Sequence, residues 1–358
     1  MYNLYEIMNN RFSKRMAAVS SVFEQKILGI DELKNKWSTG AELNRQILSR
    51  LKKSVLVTST GASTRIEGSQ MSDEDIEKLM RGLSIQKFKD RDMQEVKGYY
   101  ELLTNIFDGY QSIPFSESTI KFFHRELLKH TDKDQLHRGE YKKIENRVEM
   151  INNAGESIGV LFDTTKAYLT PKEMQELVEW TQEAFLEKKY HPLLIVGNFI
   201  VEFLNIHPFQ DGNGRISRVL TNLMLLQQGY LYMPYISHEK LIEDNKPEYY
   251  LALRKSQKTF RTDDEDLTPW LQFFFYIMLE QSKRAVALLS EEATDKLLSK
   301  QQQFVWKFIE TVSETTPLEI SKAIGVPRPT VSQAITKLMK MKRIERIGLG
   351  RGTRYRKI

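Results

Sequence analysis

One segment of the chain combines the residue types that chemistry on a phosphate ester requires. It runs from His207 to Arg218 and reads His-Pro-Phe-Gln-Asp-Gly-Asn-Gly-Arg-Ile-Ser-Arg. A histidine can accept a proton near neutral pH, and an aspartate oxygen is a ligand that Mg²⁺ prefers. Gly212 and Gly214 allow a ligand to approach the backbone closely. The segment therefore predicts an anion site with His207 as the proton acceptor and Asp211 as the metal ligand.

Two predicted helices would hold these residues in place. Apolar spacing predicts one helix over 192–206, which ends at His207 because a residue before proline is pushed out of helical geometry. A second helix follows the glycine turn, and its first turn offers free N–H groups and a positive dipole end. Arg215 and Arg218 are three residues apart, so both guanidiniums can face this end. The alternative is a glycine-rich turn with a capping aspartate and a surface histidine, but the combination of residue types favours the anion site.

The segment from His207 to Arg215 resembles the signature HPFx[DE]GNGR of Fic-domain proteins, and Arg218 matches the second arginine of its extended form. This resemblance implies a mainly helical core that transfers AMP from ATP to a hydroxyl side chain of a target protein, a reaction called AMPylation. It implies that His207 is the catalytic base and that Asp211 holds Mg²⁺. The residues that the resemblance assigns to ATP binding are Gly212, Asn213, Gly214, Arg215, Ile216, Ser217 and Arg218.

A second motif lies upstream, where Ser63 to Gly68 reads Ser-Thr-Arg-Ile-Glu-Gly. It resembles the inhibitory pattern [ST]xxxE[GN] of the same family. We expect Ser63 and Glu67 to lie one turn apart on a helix that Gly68 ends. The resemblance implies that Glu67 pairs with Arg218 and blocks the γ-phosphate of ATP, because a carboxylate competes with phosphate for the same donors. The resting protein would then be autoinhibited.

Two looser matches concern the target and the nucleoside. Residues 139–151 resemble the family's flap, which positions the target segment, with Asn146 and Val148 at its recognisable positions. Their glycines and short alternations predict a β-hairpin or ordered loop within residues 138–169. Tyr249 and Tyr250 resemble a tyrosine pair that lines the nucleoside pocket. Two adjacent tyrosines on a helix are also common core residues, so that alternative stays open.

The C-terminal part of the chain differs from the rest in net charge. The whole sequence carries a net charge of +6, but residues 300–358 hold 13 Lys and Arg against 4 Asp and Glu, which gives +9. Three predicted helices and a hairpin in this region resemble a winged-helix domain, which would bind DNA phosphates and bases. Winged helices also bind proteins, so both partners stay open. The predicted DNA contacts are Arg328, Ser332, Gln333, Lys337, Arg351 and Arg354.

The sequence as a whole predicts a mainly α protein: a Fic-type helical core with a β-hairpin flap, an N-terminal helical region and a C-terminal winged helix. The absence of cysteine excludes disulfides, cysteine nucleophiles and cysteine-held metals. No signal peptide or membrane segment is apparent, and we expect a cytoplasmic protein without a membrane partner. The predicted domains are residues 1–110, with the inhibitory helix around 60–68, residues 111–290 as the Fic core, and residues 291–358 as the winged helix.

These features lead to one main functional hypothesis and two alternatives. The main hypothesis is a protein adenylyltransferase that uses ATP and Mg²⁺, acts on a Ser, Thr or Tyr hydroxyl of a target protein, and also modifies itself. One alternative is a DNA-binding transcriptional regulator whose Fic core senses a nucleotide. The other is a de-AMPylase, in which Glu67 orients a water molecule for removal of AMP.

Overall fold

The computed structural model describes residues 11–16, 19–41, 45–83, 90–131, 135–151, 157–289, 298–340, 343–348 and 353–358. The chain forms two compact units: residues 1–32 with 52–282, and residues 33–51 with 283–358. The three-domain division made from the sequence stays a prediction. In the part of the chain that the structure describes, no helix is both long and apolar enough to cross a membrane.

The described secondary structure is mainly helical, as predicted. From the N-terminal side up to the flap, the helices are α1 (Glu24–Ala41), α2 (Arg45–Ile66), α3 (Asp73–Met80), α4 (Asp90–Gly109) and α5 (Glu117–Leu127). After the flap they are α6 (Thr170–Glu187), α7 (Pro192–Ile206), α8 (Asn213–Gln227), α9 (His238–Asp244), α10 (Lys246–Gln257) and α11 (Thr268–Ala287). Short 3-10 helices span Ser20–Phe23 and Ala167–Leu169.

Polar side chains cap the N-termini of α3 and α5. Ser72 accepts a hydrogen bond from the backbone of Asp75, and Asp75 accepts one from the backbone of Ser72, which forms a capping box. Ser116 caps α5 by accepting from the backbone of Thr119. These bonds satisfy N–H groups that a helix leaves unpaired in its first turn. They set where α3 and α5 begin.

The central element of the first unit is α7. Every residue of this helix after Pro192 is buried, and it packs against α6 and α8. The rings of Phe199 and Phe203 lie within the core, each with less than 1% exposure. Burying such a side chain contributes roughly 1.5–3 kcal/mol to folding. The helix is therefore held rigidly, and so is the residue at its C-terminal end.

A β-hairpin interrupts the helical pattern, as predicted for residues 138–169. Strands β1 (Arg147–Ile151) and β2 (Ser157–Asp163) pair in antiparallel fashion, with Arg147 opposite Asp163. The register shifts twice along the ladder, between Val148 and Glu149 and again before Ile151. Such irregularities bend and twist a hairpin.

The C-terminal part of the second unit contains helices α12 (Lys300–Glu310), α13 (Pro317–Ile324) and α14 (Arg328–Lys340), followed by strands β3 (Ile344–Ile347) and β4 (Arg354–Lys357). The strands form an antiparallel hairpin, and Thr315 pairs with Tyr355 beside it. This order of elements agrees with the helices and hairpin predicted there. Their common core consists of Leu298, Val305, Trp306, Ile309, Ile320, Val326, Val331, Ala334, Ile335, Leu338 and Ile344.

Candidate active site

His207 lies at the C-terminal end of α7, where the backbone turns into the left-handed region with φ 51°. Its Nδ1–H donates to the carbonyl of Leu204 at 3.3 Å, since a carbonyl can only accept. This bond leaves Nε2 without a proton and able to accept one. Burial, together with the positive charge of Lys142, lowers the pKa of His207 to about 4. The imidazole is therefore neutral at pH 7.

The turn after His207 is fixed by Asn213. Its Oδ1 accepts from the backbone N–H of Phe209 at 2.9 Å, and its Nδ2 donates to the Phe209 carbonyl at 2.8 Å. Gly212 takes a φ of 79°, which favours glycine, and helix α8 begins at the next residue. The Phe209 ring is fully buried. Asn213 therefore supports the turn with its side chain.

His124, on α5, contacts the same turn and helps to fix it. Its ring stacks on Phe209 with centroids 3.9 Å apart. Nδ1 accepts from the backbone N–H of Gly139 at 2.9 Å, so Nε2–H donates to the carbonyl of Asp211 at 3.1 Å. Burial lowers the pKa of His124 to about 4. No local pattern in the sequence relates His124 to the motif, because the two residues of this contact are 87 positions apart.

Lys142 and Asn146, both from the flap, hold the end of α7. The buried Lys142 ammonium donates to Asn146 Oδ1 and Thr164 Oγ1, each at 2.8 Å, and to the Ile206 carbonyl at 2.9 Å. Asn146 Nδ2 donates to the Phe209 carbonyl at 2.8 Å. Burial lowers the pKa of Lys142 to about 8. Asn146 thus lies beside the motif.

Val148, the other flap residue singled out from the sequence, lies in β1. Its partner across the hairpin is Phe162. The structure therefore places both flap residues on the segment that begins beside His207, with Asn146 in contact with the motif and Val148 in the first strand.

Asp211 is bound by two arginines. Its Oδ1 accepts from the backbone N–H of Gly212 at 2.6 Å, and its Oδ2 accepts from Arg91 at 3.0 Å and Arg215 at 3.2 Å. Burial raises the pKa of Asp211, but the charges of Arg215 and Arg91 with the Gly212 bond outweigh this and lower it. Arg215 also donates to Glu95 at 2.6 Å. The carboxylate of Asp211 is thus ionised and half-exposed.

Arg218 is bound by the upstream motif, which runs from Ser63 to Gly68. Its Nε donates to Ser63 Oγ at 2.8 Å, and its Nη2 donates to the Ser63 carbonyl at 2.9 Å and to Glu67 Oε1 at 2.7 Å. Helix α2 ends at Ile66, so Glu67 lies one residue beyond the helix rather than within it. Burial opposes ionisation of Glu67, but Arg218 and Arg215 together lower its pKa. Glu67 from the upstream motif and Arg218 from the segment that begins at His207 therefore form an ion pair.

The Glu67 carboxylate lies against the first turn of α8. A Cβ added at Gly214 would overlap Glu67 Oε1, so only glycine permits this approach. Ser217, in the same turn, is buried and its hydroxyl donates to the Gly214 carbonyl at 2.7 Å. Ile216 is fully buried, and its backbone N–H already donates to the Gly212 carbonyl. Glu67 thus lies directly beside Gly214, in the first turn of α8.

The tyrosine pair lies on α10, close to the end of α2. Tyr249 is 3% exposed and packs edge-on against Trp270, with ring centroids 5.9 Å apart. Tyr250 is half-buried, and its hydroxyl donates to the Ile66 carbonyl at 3.4 Å. Burial raises the pKa of Tyr249 to about 12. Tyr249 is thus a packed core residue, and Tyr250 lies beside the segment from Ser63 to Gly68.

Two of the residues predicted to contact DNA are bound to other side chains of the second unit. Lys337 is half-buried and donates to Gln302 Oε1 at 2.9 Å, whereas Arg354 pairs with Glu314 at 3.2 Å. Arg351 lies outside the described residues. The remaining predicted DNA contacts are exposed on α14: Arg328, Ser332 and Gln333.

Fold and site together define a helical protein in which a neutral histidine at the end of α7 lies shortly before the N-terminus of α8. A model of the Fic/DOC family matches residues 114–225. A Fido domain-containing protein of Dictyostelium discoideum is 32% identical over 108 residues, which are 28% of this chain and 68% of that protein. The chain belongs to the Fic/DOC family.

More distant relatives carry a named activity. The protein adenylyltransferase Fic of Drosophila virilis is 25% identical over 270 residues, which are 75% of this chain and 50% of that protein. The chain spans about half the length of this relative and of a probable protein adenylyltransferase of Aquifex aeolicus. A crystal structure of a Fic family protein from Desulfovibrio desulfuricans shares the fold, with a TM-score of 0.58 at 24% identity over 92% of this chain and 96% of that chain.

Proposed function

We propose that this chain is a protein adenylyltransferase that transfers AMP from ATP to a hydroxyl side chain of a target protein, the chain itself included. The observation that carries the proposal is the neutral His207, whose Nε2 is free to accept a proton beside the anion site of α8. The activity named for two relatives supports the same reaction.

In this reaction His207 Nε2 takes the proton of a Ser, Thr or Tyr hydroxyl. The hydroxyl oxygen then attacks the α-phosphorus of ATP, the bond to the β-phosphate oxygen breaks, and pyrophosphate leaves. The low pKa of His207 keeps the ring in its accepting form before the target binds. The N–H groups at the start of α8 would stabilise the charge on the phosphates.

The residues of the site fit a Mg²⁺·ATP complex. Asp211 offers a half-exposed carboxylate, and Mg²⁺ is often bound by one or two carboxylates together with substrate phosphates. Arg215 Nε is buried and has no hydrogen-bond partner within the described ranges, so a donor is available for a phosphate oxygen. Asp211 would hold the ion, which when bound offsets phosphate charge.

The resting state is autoinhibited in this proposal. Glu67 takes donors of Arg218 and lies against Gly214, so the outermost phosphate of ATP and this carboxylate compete for one place. Glu67→Gly should therefore raise AMP incorporation from ATP labelled at the α-phosphate. Adding His207→Ala should abolish the labelling.

His130 supplies a matched control for the histidine. It is half-buried and its Nε2 bonds to Glu101, away from the motif. In the Glu67→Gly protein, His130→Ala should leave the labelling unchanged. No gain from Glu67→Gly would contradict the inhibition, and labelling that survives His207→Ala would contradict the role of the base.

Removal of AMP is a second direction for the same site. The Glu67 side chain is 36% exposed even while it is bound to Arg218, so it is accessible to a water molecule that its carboxylate would orient. Incubating wild-type protein with a target that already carries AMP separates the two directions. Release of AMP without ATP would support de-AMPylation, and a stable modification would count against it.

Binding to DNA is a separate proposal for the second unit. Arg328 and Gln333 are exposed on α14, and residues 300–358 carry a net charge of +9. Arg354 and Arg356 are each paired with a glutamate, which leaves α14 as the better candidate surface. Binding of the full chain to duplex DNA should weaken as salt rises, and Arg328→Ala should weaken it further. If the full chain binds no DNA at low salt, the proposal for DNA fails and a protein partner for the second unit is favoured.

A further inference from the structure

Four side chains form a closed ring of alternating charge at the start of α8. Arg91 binds Glu95 Oε1 at 2.8 Å and Asp211 Oδ2 at 3.0 Å. Arg215 binds Glu95 Oε2 at 2.6 Å and the same Asp211 oxygen at 3.2 Å. Each arginine therefore bridges both carboxylates, and each carboxylate bridges both arginines.

The two sides of this ring differ in burial. The side chains of Arg215 and Glu95 are 3% and 18% exposed, whereas those of Asp211 and Arg91 are 42% and 48% exposed. The contact between Arg215 and Glu95 is thus shielded from water, which strengthens a charge-assisted hydrogen bond. The contact between Arg215 and Glu95 is therefore buried, whereas the contact between Asp211 and Arg91 is exposed to solvent.

Helix α4, which carries Glu95, is itself anchored. It packs against α5 and α8. One turn beyond Glu95 on this helix, Tyr99 is fully buried, and its hydroxyl donates to Glu239 Oε1 at 3.0 Å. A side chain on a fixed helix can hold its partner in one orientation, whereas the half-exposed Asp211 side chain is freer to turn.

If Asp211 ligated Mg²⁺, as the proposed function requires, the charge of the ion would compete with Arg91 and Arg215 for the carboxylate and repel both guanidiniums. Arg215 would then be held less firmly by one of its two carboxylate partners. We propose that Glu95 is a positioning residue of the phosphate site: it holds the Arg215 guanidinium in orientation while Asp211 is engaged by the ion. The inference rests on the proposed binding of Mg²⁺·ATP.

Glu95 also affects how easily Asp211 is released from the two arginines to bind Mg²⁺. The ring contains two positive and two negative groups, so it is neutral as it stands. Without the charge of Glu95, Arg91 and Arg215 would share Asp211 as their one carboxylate in the ring and hold it more tightly. Loss of Glu95 should therefore weaken ATP binding and also raise the Mg²⁺ concentration that half-saturates the site.

The test is made in the full-length Glu67→Gly protein, whose site is free of the inhibitory carboxylate. Glu95→Gln keeps the shape of the side chain and removes its charge, and Glu95→Ala removes both. We expect Glu95→Gln to raise the Kd of ATP, measured by titration calorimetry with Mg²⁺, and the KM for ATP by roughly tenfold. The Mg²⁺ midpoint should move to higher concentration, while kcat changes less.

Glu101→Gln is the matched control. Glu101 lies on the same helix and pairs with Lys129 and His130, away from the site. This variant should keep the ATP affinity and the Mg²⁺ midpoint of the Glu67→Gly background. A merely structural effect of Glu95→Gln would lower the melting temperature without moving the Mg²⁺ midpoint, and that result would overturn the proposal.

An unchanged Kd for ATP in the Glu95→Gln variant would also overturn the proposal that Glu95 positions Arg215. The proposed function fails separately, if the Glu67→Gly protein binds ATP but transfers no AMP. In that case the calorimetric Kd and the Mg²⁺ midpoint of binding still decide the role of Glu95.

Discussion

The last turn of α2, which leads directly into Glu67, is clamped in place by the side chain of Arg65. Its Nε and Nη2 donate to the two carboxylate oxygens of Glu243 at 2.6 and 3.2 Å, and its Nη1 donates to Asp73 at 3.0 Å. Arg65 stands two residues before Glu67. If the clamp keeps Glu67 on Arg218, then Arg65→Met should release the inhibition, because methionine keeps an apolar stem but has no donors.

The expected size follows from the burial of this clamp. The side chains of Arg65 and Glu243 are 22% and 18% exposed, so their bonds are only partly screened. A hydrogen bond to a charged group contributes about 1.5–3 kcal/mol. Loss of one such contribution would raise the ratio of open to closed protein by roughly 10- to 150-fold, at 1.36 kcal/mol for each factor of ten. The gain cannot exceed that of Glu67→Gly, in which the carboxylate is absent.

The assay is AMP incorporation from ATP labelled at the α-phosphate, compared among wild type, Arg65→Met and Glu67→Gly. Arg81→Met is the control, since Arg81 is an exposed arginine that follows α3 and pairs with Glu77. It should match wild type. Glu243→Gln should also activate, and adding it to Arg65→Met should give little more, since both remove the same contact. The reasoning is refuted if Glu67→Gly is active while Arg65→Met stays at the wild-type rate.

Three further outcomes are expected. Gly61→Ala should also activate, because the added Cβ would overlap the Arg65 guanidinium; a wild-type rate of AMP incorporation would count against the clamp. Lys142→Met should raise the pKa of His207 above about 4, so the acid limb of the pH–rate profile should move to higher pH. Burial lowers the pKa values of His207 and His124 to about 4, so the unfolded chain binds more protons below its histidine pKa of about 6.5. The free energy of unfolding in urea should therefore fall between pH 6.5 and 4, and a flat profile would contradict these pKa values.

Local patterns in the sequence predict the scaffold of the site well. The apolar run before His207, the proline after it and the glycines that follow predict the end of one helix and the start of the next, where the structure has α7 and α8. The paired glycine-bounded alternations predict the β1–β2 hairpin. These signals are strong because each depends on neighbouring residues, whose spacing the backbone geometry fixes.

Contacts across the fold have no such spacing. Glu95 and His124 touch the motif with their side chains and Lys142 touches it with its backbone N–H, yet none carries a local pattern that relates it to His207. Glu67 is predicted only because the family resemblance supplies its partner, and its place just beyond α2 differs from the helical position expected. The sequence thus predicts the residues of a motif better than the side chains that orient them.

The central claim is that the nucleotide fragment left on the target is AMP. The most direct measurement compares two labelled forms of ATP in the Glu67→Gly protein, one labelled at the α-phosphate and one at the γ-phosphate, with His207→Ala beside each. We expect protein labelling from the α-phosphate alone, and none in the His207→Ala variant. Labelling from the γ-phosphate would mean phosphate transfer instead and would contradict the account.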